Sequence, residues 1–414
     1  MGKVSGRKCP FNQNKIKLIA TEIKNDVLGC MVRILGENRK QLLAANKKDL
    51  DAFNKDDKVM YDRLLINDSK IDGMIEAILQ VQAKEDPVNK IITDKKLENG
   101  LQVINKTAPF GTIMIIYESR PDVTVEAAVL SFKANNKILL KGGKEALWSN
   151  KILVNFWHLA LLENGLSTNY IQLLTMDRTE TQQFLKNPTQ HIDLIVPRGG
   201  EQLISFVKEH AKCAVLVSGR GNNFLYVDQN ADWKNSIEVI LNAKTSKISA
   251  CNALDKILVN TNLLDYDNKM TDLKNILKNN GVSILVDSNV KNILKEEPLI
   301  LEESIWKDEF LEMKCCIGSV DSTKEAIEKI NKYSGGHSAT IMTTSNKEAS
   351  LFMEQVDCAA VYKNASTRFT DGGQMGVGAE LAISTDKLHH RGPLGLNELV
   401  TNKYYVFGDG HIRE

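Results

Sequence analysis

The run Lys137-Ile138-Leu139-Leu140-Lys141-Gly142-Gly143 reads as a short apolar strand that ends in a glycine turn. Behind it, Leu147, Ile152, Phe156, Leu159 and Leu162 carry a helix until Gly165 stops it. Strand, glycine turn and helix make one half of a βαβ unit, and the order repeats on both sides. Upstream, residues 112–117 are rich in β-branched side chains and lead through Pro121 into a helix over residues 122–133. Downstream, residues 170–174 read as a strand, 179–185 as a helix, 192–196 as a strand, Pro197-Arg198-Gly199-Gly200 as a turn and 201–210 as a helix. Alternation of this kind predicts a parallel sheet covered by helices. Ligands of such sheets lie beyond the carboxyl ends of the strands, where Lys141-Gly142-Gly143 and Arg198-Gly199-Gly200 both fall. Their glycines let the backbone approach a phosphate and their cations add charge. Neither turn has the Gly-x-Gly-x-x-Gly pattern, and a plain turn uses the same residues.

Further out, Ile16, Ile19, Ile23 and Val27, then Ile71, Met74, Ile75, Ile78 and Leu79, keep helical spacing, so the first hundred residues are mostly helix. The polar patch at 54–58 reads as a solvated turn. Leu101-Gln102-Val103-Ile104 reads as a strand broken by Pro109 and Gly111, and residues 403–407 as a terminal strand seeking a partner. Strands at 213–217 and 224–227 bracket the start of a second domain. There, strands at 256–259 and 282–286 and a helix at 324–332 repeat the α/β pattern. The two domains are expected to face each other across a cleft.

Across 414 residues, 53 Lys and Arg stand against 52 Asp and Glu, so net charge argues for neither a nucleic-acid nor a membrane-surface partner. The seven cysteines are scattered apart from Cys315-Cys316 and show no Cys-x-x-Cys, which suggests a reducing compartment and no structural zinc. His389-His390 are adjacent and would point to opposite faces of an extended segment, so no metal is expected. The N-terminus lacks an apolar signal core and has Gly6 where a myristoylation signal needs Ser or Thr. A soluble cytoplasmic protein is the expectation.

One thiol stands apart. In Asn242-Ala243-Lys244-Thr245-Ser246-Lys247-Ile248-Ser249-Ala250-Cys251-Asn252-Ala253, Cys251 ends a helical segment among small polar residues and precedes an apolar strand. Lys244 and Lys247 upstream suit a partly ionised nucleophile. A small buried core residue is the alternative, since free cysteine is among the most buried residue types.

Several of these stretches together resemble the gamma-glutamyl phosphate reductase family of the aldehyde dehydrogenase superfamily. They are Ala108-Pro109-Phe110-Gly111, Tyr117-Glu118-Ser119-Arg120-Pro121, Ile138-Leu139-Leu140-Lys141-Gly142-Gly143 and Ile192-Asp193-Leu194-Ile195-Val196-Pro197-Arg198-Gly199-Gly200. Beyond residue 220 they continue with Tyr226-Val227-Asp228, Cys251-Asn252-Ala253, Asn364-Ala365-Ser366-Thr367-Arg368-Phe369-Thr370-Asp371-Gly372-Gly373 and Arg391-Gly392-Pro393-Leu394-Gly395-Leu396. The resemblance implies an aldehyde-dehydrogenase-like α/β fold of two doubly wound domains plus a small β oligomerisation ribbon. Residues 1–96 and 108–217 would bind NADP, 218–385 would carry the chemistry, and 97–107 with 386–414 would form the ribbon.

The implied activity is NADPH-dependent reduction of gamma-glutamyl phosphate to glutamate 5-semialdehyde in proline biosynthesis, through a thioester on Cys251. Ser119 falls on the position of an oxyanion donor. Lys141, Gly142, Gly143, Arg198, Gly199, Gly200 and Glu309 fall on cofactor-binding positions, and Arg120, Lys247, Arg368 and Glu380 are candidates for the substrate. A homodimer or homotetramer is implied, with channelling from glutamate 5-kinase. Ser218 occupies the place where hydrolytic relatives carry a water-activating glutamate, which predicts slow thioester hydrolysis. Ser246, Lys247 and Ile248 depart from the family's usual Gln-Arg-Pro, Asp255-Lys256 from its Glu-Thr and Asn223-Phe224 from its Cys-His. These departures keep two alternatives open: an enzyme for another acyl phosphate or aldehyde, and a cofactor-binding homologue without catalysis.

Overall fold

In the computed structural model, residues 17–54 and 57–413 are described; the N-terminal segment with Ile16, and residues 55 and 56 of the polar patch, lie outside them. Four helices, Thr21–Glu37, Arg39–Ala52, Lys58–Leu64 and Asp68–Ala83, precede any strand. The strands follow as β1 (Ile91–Lys96), β2 (Gln102–Pro109), β3 (Thr112–Tyr117), β4 (Lys137–Lys141), β5 (Ile171–Leu173), β6 (Leu194–Arg198) and β7 (Ala214–Val215). They continue as β8 (Asn223–Val227), β9 (Leu254–Asn260), β10 (Ser283–Val286), β11 (Lys314–Val320), β12 (Ser338–Met342), β13 (Ala360–Lys363), β14 (Ile383–Ser384), β15 (Gly392–Pro393) and β16 (Val400–Phe407).

The first sheet has five parallel strands in the order β5-β4-β3-β6-β7. Both faces are covered, as the alternation of side chains along a strand requires. Ile113, Ile115, Ile138, Leu140, Leu194 and Val196 enter one core with the N-terminal helices, while Met114, Ile116, Leu139 and Ile195 enter another with Phe184 and Val207. The second sheet has six parallel strands in the order β10-β11-β9-β8-β12-β13. It divides the same way: Leu225, Val227, Ile257, Val259 and Ile317 lie on one face and Phe224, Tyr226, Leu258, Cys316 and Ile341 on the other. Two doubly wound layers therefore form, the class expected from the alternation of strands and helices.

Three details differ from the sequence reading. β6 runs through Pro197 and Arg198, which read as a turn; Pro197 is tolerated because neighbouring β7 is only two residues long and pairs with Leu194 and Ile195, below the proline. An additional strand, β1, lies ahead of residue 97 and pairs antiparallel with β2 in a three-stranded sheet with β16. All six β1 residues are exposed, so no buried alternation marked that strand. β2 continues to Pro109 and pairs with β16, which thus finds its partner within the chain.

Candidate active site

The site follows from topology. The chain leaves β3 toward β4 and β5 on one side and later returns to lay down β6 and β7 on the other, so the switch point lies between β3 and β6. A crevice opens at the carboxyl ends of such a pair. Tyr117 pairs with Arg198 there, which sets Glu118-Ser119-Arg120 beside Arg198-Gly199-Gly200. The second sheet presents its opposite edge: residues 221–223 lead into β8, the Cys251 turn into β9, residues 308–313 into β11 and Gly335–His337 into β12.

Cys251 is the exposed cysteine among the described residues; Cys30 and Cys213 are half-buried, and Cys315, Cys316 and Cys358 are buried. The core-residue alternative does not hold. Its turn is pinned from two sides. Asn223 Nδ2 lies 2.7–2.8 Å from the carbonyl oxygens of Gly221, Cys251 and Ala253. Asn252 Nδ2 donates to the carbonyls of Arg368 and Thr370, while Thr367 Oγ1 donates to Asn252 O. A Cβ on Gly221 would stand 2.0 Å from the Cys251 carbonyl oxygen, so only glycine lets the two turns touch.

The residue is exposed at the crevice, and the protein atoms crowded around it partly desolvate the sulfur. That desolvation, with the Glu309 and Glu380 carboxylates adding to it, pushes the Cys251 thiol up to about 11, against the pull of Arg198 and of its own backbone N–H. At rest the nucleophile is therefore a neutral thiol. Glu380 is raised to about 7 by burial first, then by Asp371 and Glu126, with Arg198 and the Gly372 N–H opposing. Its Oε2 is buried and has no hydrogen-bond partner. Glu309 is also raised, by burial and Asp255, while the Gly221 N–H, Arg220 and Arg63 hold it back.

The cofactor candidates gather at the crevice. Lys141 ends β4 and donates to Gly142 O at 2.8 Å; burial lowers its pKa, with Glu145 and Asp177 opposing. Gly142 lies against Asn150 and the Tyr117 ring, and a Cβ there would clash at 2.2 Å. Gly200 precedes the Glu201–His210 helix, has open space where a Cβ would stand, and donates its N–H to Glu118 Oε2 at 3.3 Å. An intramolecular carboxylate thus already rests at a helix N-terminus beside Arg198, so these donors fit the diphosphate of a nicotinamide cofactor.

The other candidates separate. Arg120 lies 3.2 Å from Asp122, and the Cys251 sulfur contributes to its electrostatics. Lys247 is exposed and acts on Lys70, as does Arg120. Arg368 Nε donates to Ser246 Oγ at 3.0 Å, so one of the departing residues has a definite partner. Ser119 is corrected as a free oxyanion donor: it is buried, and its hydroxyl and N–H both donate to Glu145 Oε1 at 2.6 and 2.8 Å. Its one hydroxyl proton is committed to a carboxylate. Sequence reasoning missed Lys70 and Arg63, whose surroundings carry no motif. Two surface hollows, of about 630 and 330 Å³, are lined by residues such as Asp86 and Lys90, and His191 and Cys213, and by none of the site candidates. Among the described residues no group of three or more His, Cys, Asp or Glu is placed to hold a metal ion, and no helix is long and apolar enough to cross a membrane.

No family model matches the chain. Among curated proteins, a gamma-glutamyl phosphate reductase of Halothermothrix orenii is 39% identical over 410 residues, covering 99% of this chain and 97% of its own. One of Clostridium botulinum is 41% identical over 395 residues, 95% of each chain. Among solved structures, gamma-glutamyl phosphate reductase from Thermotoga maritima superposes with a TM-score of 0.92 at 39% identity over 96% of both chains. An acetylating aldehyde dehydrogenase from Geobacillus thermoglucosidasius shares the fold, with a TM-score of 0.67 at 16% identity over 96% of this chain and 94% of its own.

Proposed function

The chain belongs to the gamma-glutamyl phosphate reductase family, and from that premise we propose that it reduces gamma-glutamyl phosphate to glutamate 5-semialdehyde with NADPH, in proline biosynthesis. The observation that carries this reading is the exposed Cys251 thiol lying within the field of Arg198, a residue of the opposite sheet's cofactor turn.

Lys141, Gly142, Gly143, Arg198, Gly199 and Gly200 hold the nucleotide in this reading, and the Lys141 charge suits a 2′-phosphate. Glu309 holds the nicotinamide ribose. The bound cofactor supplies one hydride to the thioester carbonyl. Everything else falls to side chains of this chain.

A thiol pushed up to about 11 needs a proton acceptor, and Glu380, near 7 with an unpartnered oxygen, is the carboxylate we assign to it. The Cys251 proton moves to Glu380 as the S–C bond forms at the acyl carbon. The C–O bond to phosphate then breaks, and the departing phosphate oxygen takes the proton from Glu380. After reduction the C–S bond breaks, the semialdehyde leaves, and the thiolate regains a proton from solvent. The Cys251 N–H, already directed at the sulfur, serves the oxyanion, while Ser119 keeps Glu145 over the Gly143 turn. Arg120, Lys247 and the additional Lys70 supply positive charge for the substrate's anionic groups, and Arg368 sits next to them through Ser246.

The sign of the pH dependence follows. Glu380 accepts a proton only as carboxylate, so kcat/KM for the acyl phosphate should fall as pH drops through about 7, and Glu380→Gln should remove that limb together with most of the activity. A limb unchanged in Glu380→Gln assigns the base elsewhere. In the same variant, one carboxylate fewer faces Cys251, so alkylation of the thiol by iodoacetamide should become faster at a given pH even as turnover slows.

The reaction is tested in reverse, with the cyclic semialdehyde, phosphate and NADP, by watching NADPH appear. Absence of a phosphate-dependent signal overturns the reading. Ser218, tied by a single bridge to Ser384, takes the place of a water-activating carboxylate, so a trapped acyl-enzyme should persist in water. Ribbon residues Ile91, Ile92, Tyr404, Val406 and Phe407 are exposed apolar surface that a homodimer or homotetramer would cover, a state light scattering measures directly.

A further inference from the structure

Two buried charged side chains that the mechanism does not use lie immediately behind Cys251. Asp255 and Lys256 are the second and third residues of β9, four and five positions after the thiol, and both are buried. Neighbours on a strand point to opposite faces, yet these two reach the same segment. Asp255 Oδ2 accepts the Phe310 N–H at 2.9 Å, and its Oδ1 accepts from Lys244 Nζ at 3.0 Å. Lys256 Nζ donates to the Asp308 carbonyl at 2.8 Å and lies 3.7 Å from the centre of the Phe310 ring.

Asp308 and Phe310 flank Glu309. Residues 308–310 belong to no helix or strand, and Leu311 turns the chain with φ of 50°, so no ladder of its own fixes this segment. Besides the Asp308 N–H donating to Ile305 O at 3.3 Å, it is held by one main-chain bond on each side of Glu309, both anchored on β9. Glu309 in turn accepts the Gly221 N–H, and Gly221 touches the Cys251 carbonyl. Thiol, strand and carboxylate are one covalent and hydrogen-bonded loop.

We infer that Asp255 and Lys256 are positioning residues that hold Glu309 at a fixed distance from Cys251, so that the carboxylate for the cofactor ribose and the nucleophile move as a unit. Lys256 donates to a neutral carbonyl rather than to a carboxylate, and burial lowers its pKa against the pull of Cys316 and Asp255, so the Asp308 carbonyl is the polar group that satisfies it. The inference rests on the proposed role of Glu309 at the cofactor.

The test uses the full chain and NADPH itself. Binding is followed by the cofactor's fluorescence without substrate, for the wild type, Lys256→Met, Glu309→Gln and the double variant. Methionine keeps the stem's packing, and the Lys244→Met/Asp255→Leu pair, which removes the acceptor of the Phe310 N–H without leaving a buried ion unpaired, serves as a second probe should Lys256→Met not fold. Lys256→Met should bind NADPH about tenfold more weakly, the worth of one charge-assisted hydrogen bond. The double variant should bind no more weakly than Glu309→Gln alone. Wild-type affinity in Lys256→Met, or losses that add, overturn the inference.

A cofactor-free readout separates this from a failure of the reductase reading. A Glu309 carboxylate that drifts from Cys251 shifts the pH profile of thiol alkylation downward, whereas mere loss of the Lys256 charge shifts it upward. A downward shift supports the clamp even if wild type binds no NADPH, and an upward shift or none refutes it.

Discussion

Cys251→Ala is expected to lower the phosphate-dependent appearance of NADPH from the cyclic semialdehyde by on the order of 10⁴-fold or more, the scale on which removal of a covalent nucleophile acts. The described cysteines other than Cys251 are buried or half-buried, so no second thiol stands ready to replace it. The variant should fold as the wild type does, because the turn is held by Asn223 and Thr367 on its main-chain carbonyls and by the Asn252 side chain rather than through sulfur. NADPH binding should survive, which separates loss of chemistry from loss of the site. Cys251→Ser is the sharper form of the test. A hydroxyl preserves the shape but is a far weaker acid than the thiol, and Glu380 near 7 is too weak a base to ionise it. A phosphate-dependent signal that persists in either variant would remove the thioester from the mechanism.

Much of the candidate site was legible in the sequence, because the family motifs lie on turns whose backbone geometry admits few residues. Gly142 and Gly372 are examples, each in contact too close for a Cβ. The parallel sheets were legible from alternation, and the glycine turns fell at strand ends as the topology demands. What was not legible depended on contacts across long sequence separations. Ser119 reads as a donor from its position, but its hydroxyl is committed to Glu145, twenty-six residues away. The roles of Asp255 and Lys256 read as unexplained departures, since a strand pattern cannot tell that two buried charges reach over to residues 308–310. β1 was missed for the opposite reason: its exposed residues leave no periodic signature.

The second large effect concerns stability. Lys244, at the end of the Trp233–Thr245 helix, is fully buried and pairs with buried Asp255 at 3.0 Å. Lys244→Met should destabilise the fold by about 3–5 kcal/mol, because it leaves a carboxylate in the interior without its cation. In urea this corresponds to a midpoint lower by roughly 1 M. Asp255→Leu should cost at least as much, since it orphans both the Lys244 ammonium and the Phe310 N–H. Combined, the two substitutions should recover at least half of the Lys244→Met loss, because the buried charges vanish together and only the Phe310 amide remains unpaired. The pair also distinguishes stability from function. In Lys244→Met, Asp255 still accepts from Phe310 and Lys256 still holds Asp308, so NADPH binding well below the unfolding transition should stay near wild type. Asp255→Leu releases the Phe310 anchor and should weaken it. Equal binding losses in the two variants would mean that the ion pair itself, rather than the anchoring of residues 308–310, shapes the site; a Lys244→Met cost below about 1 kcal/mol would mean that water reaches Asp255 and the pair is not a buried one.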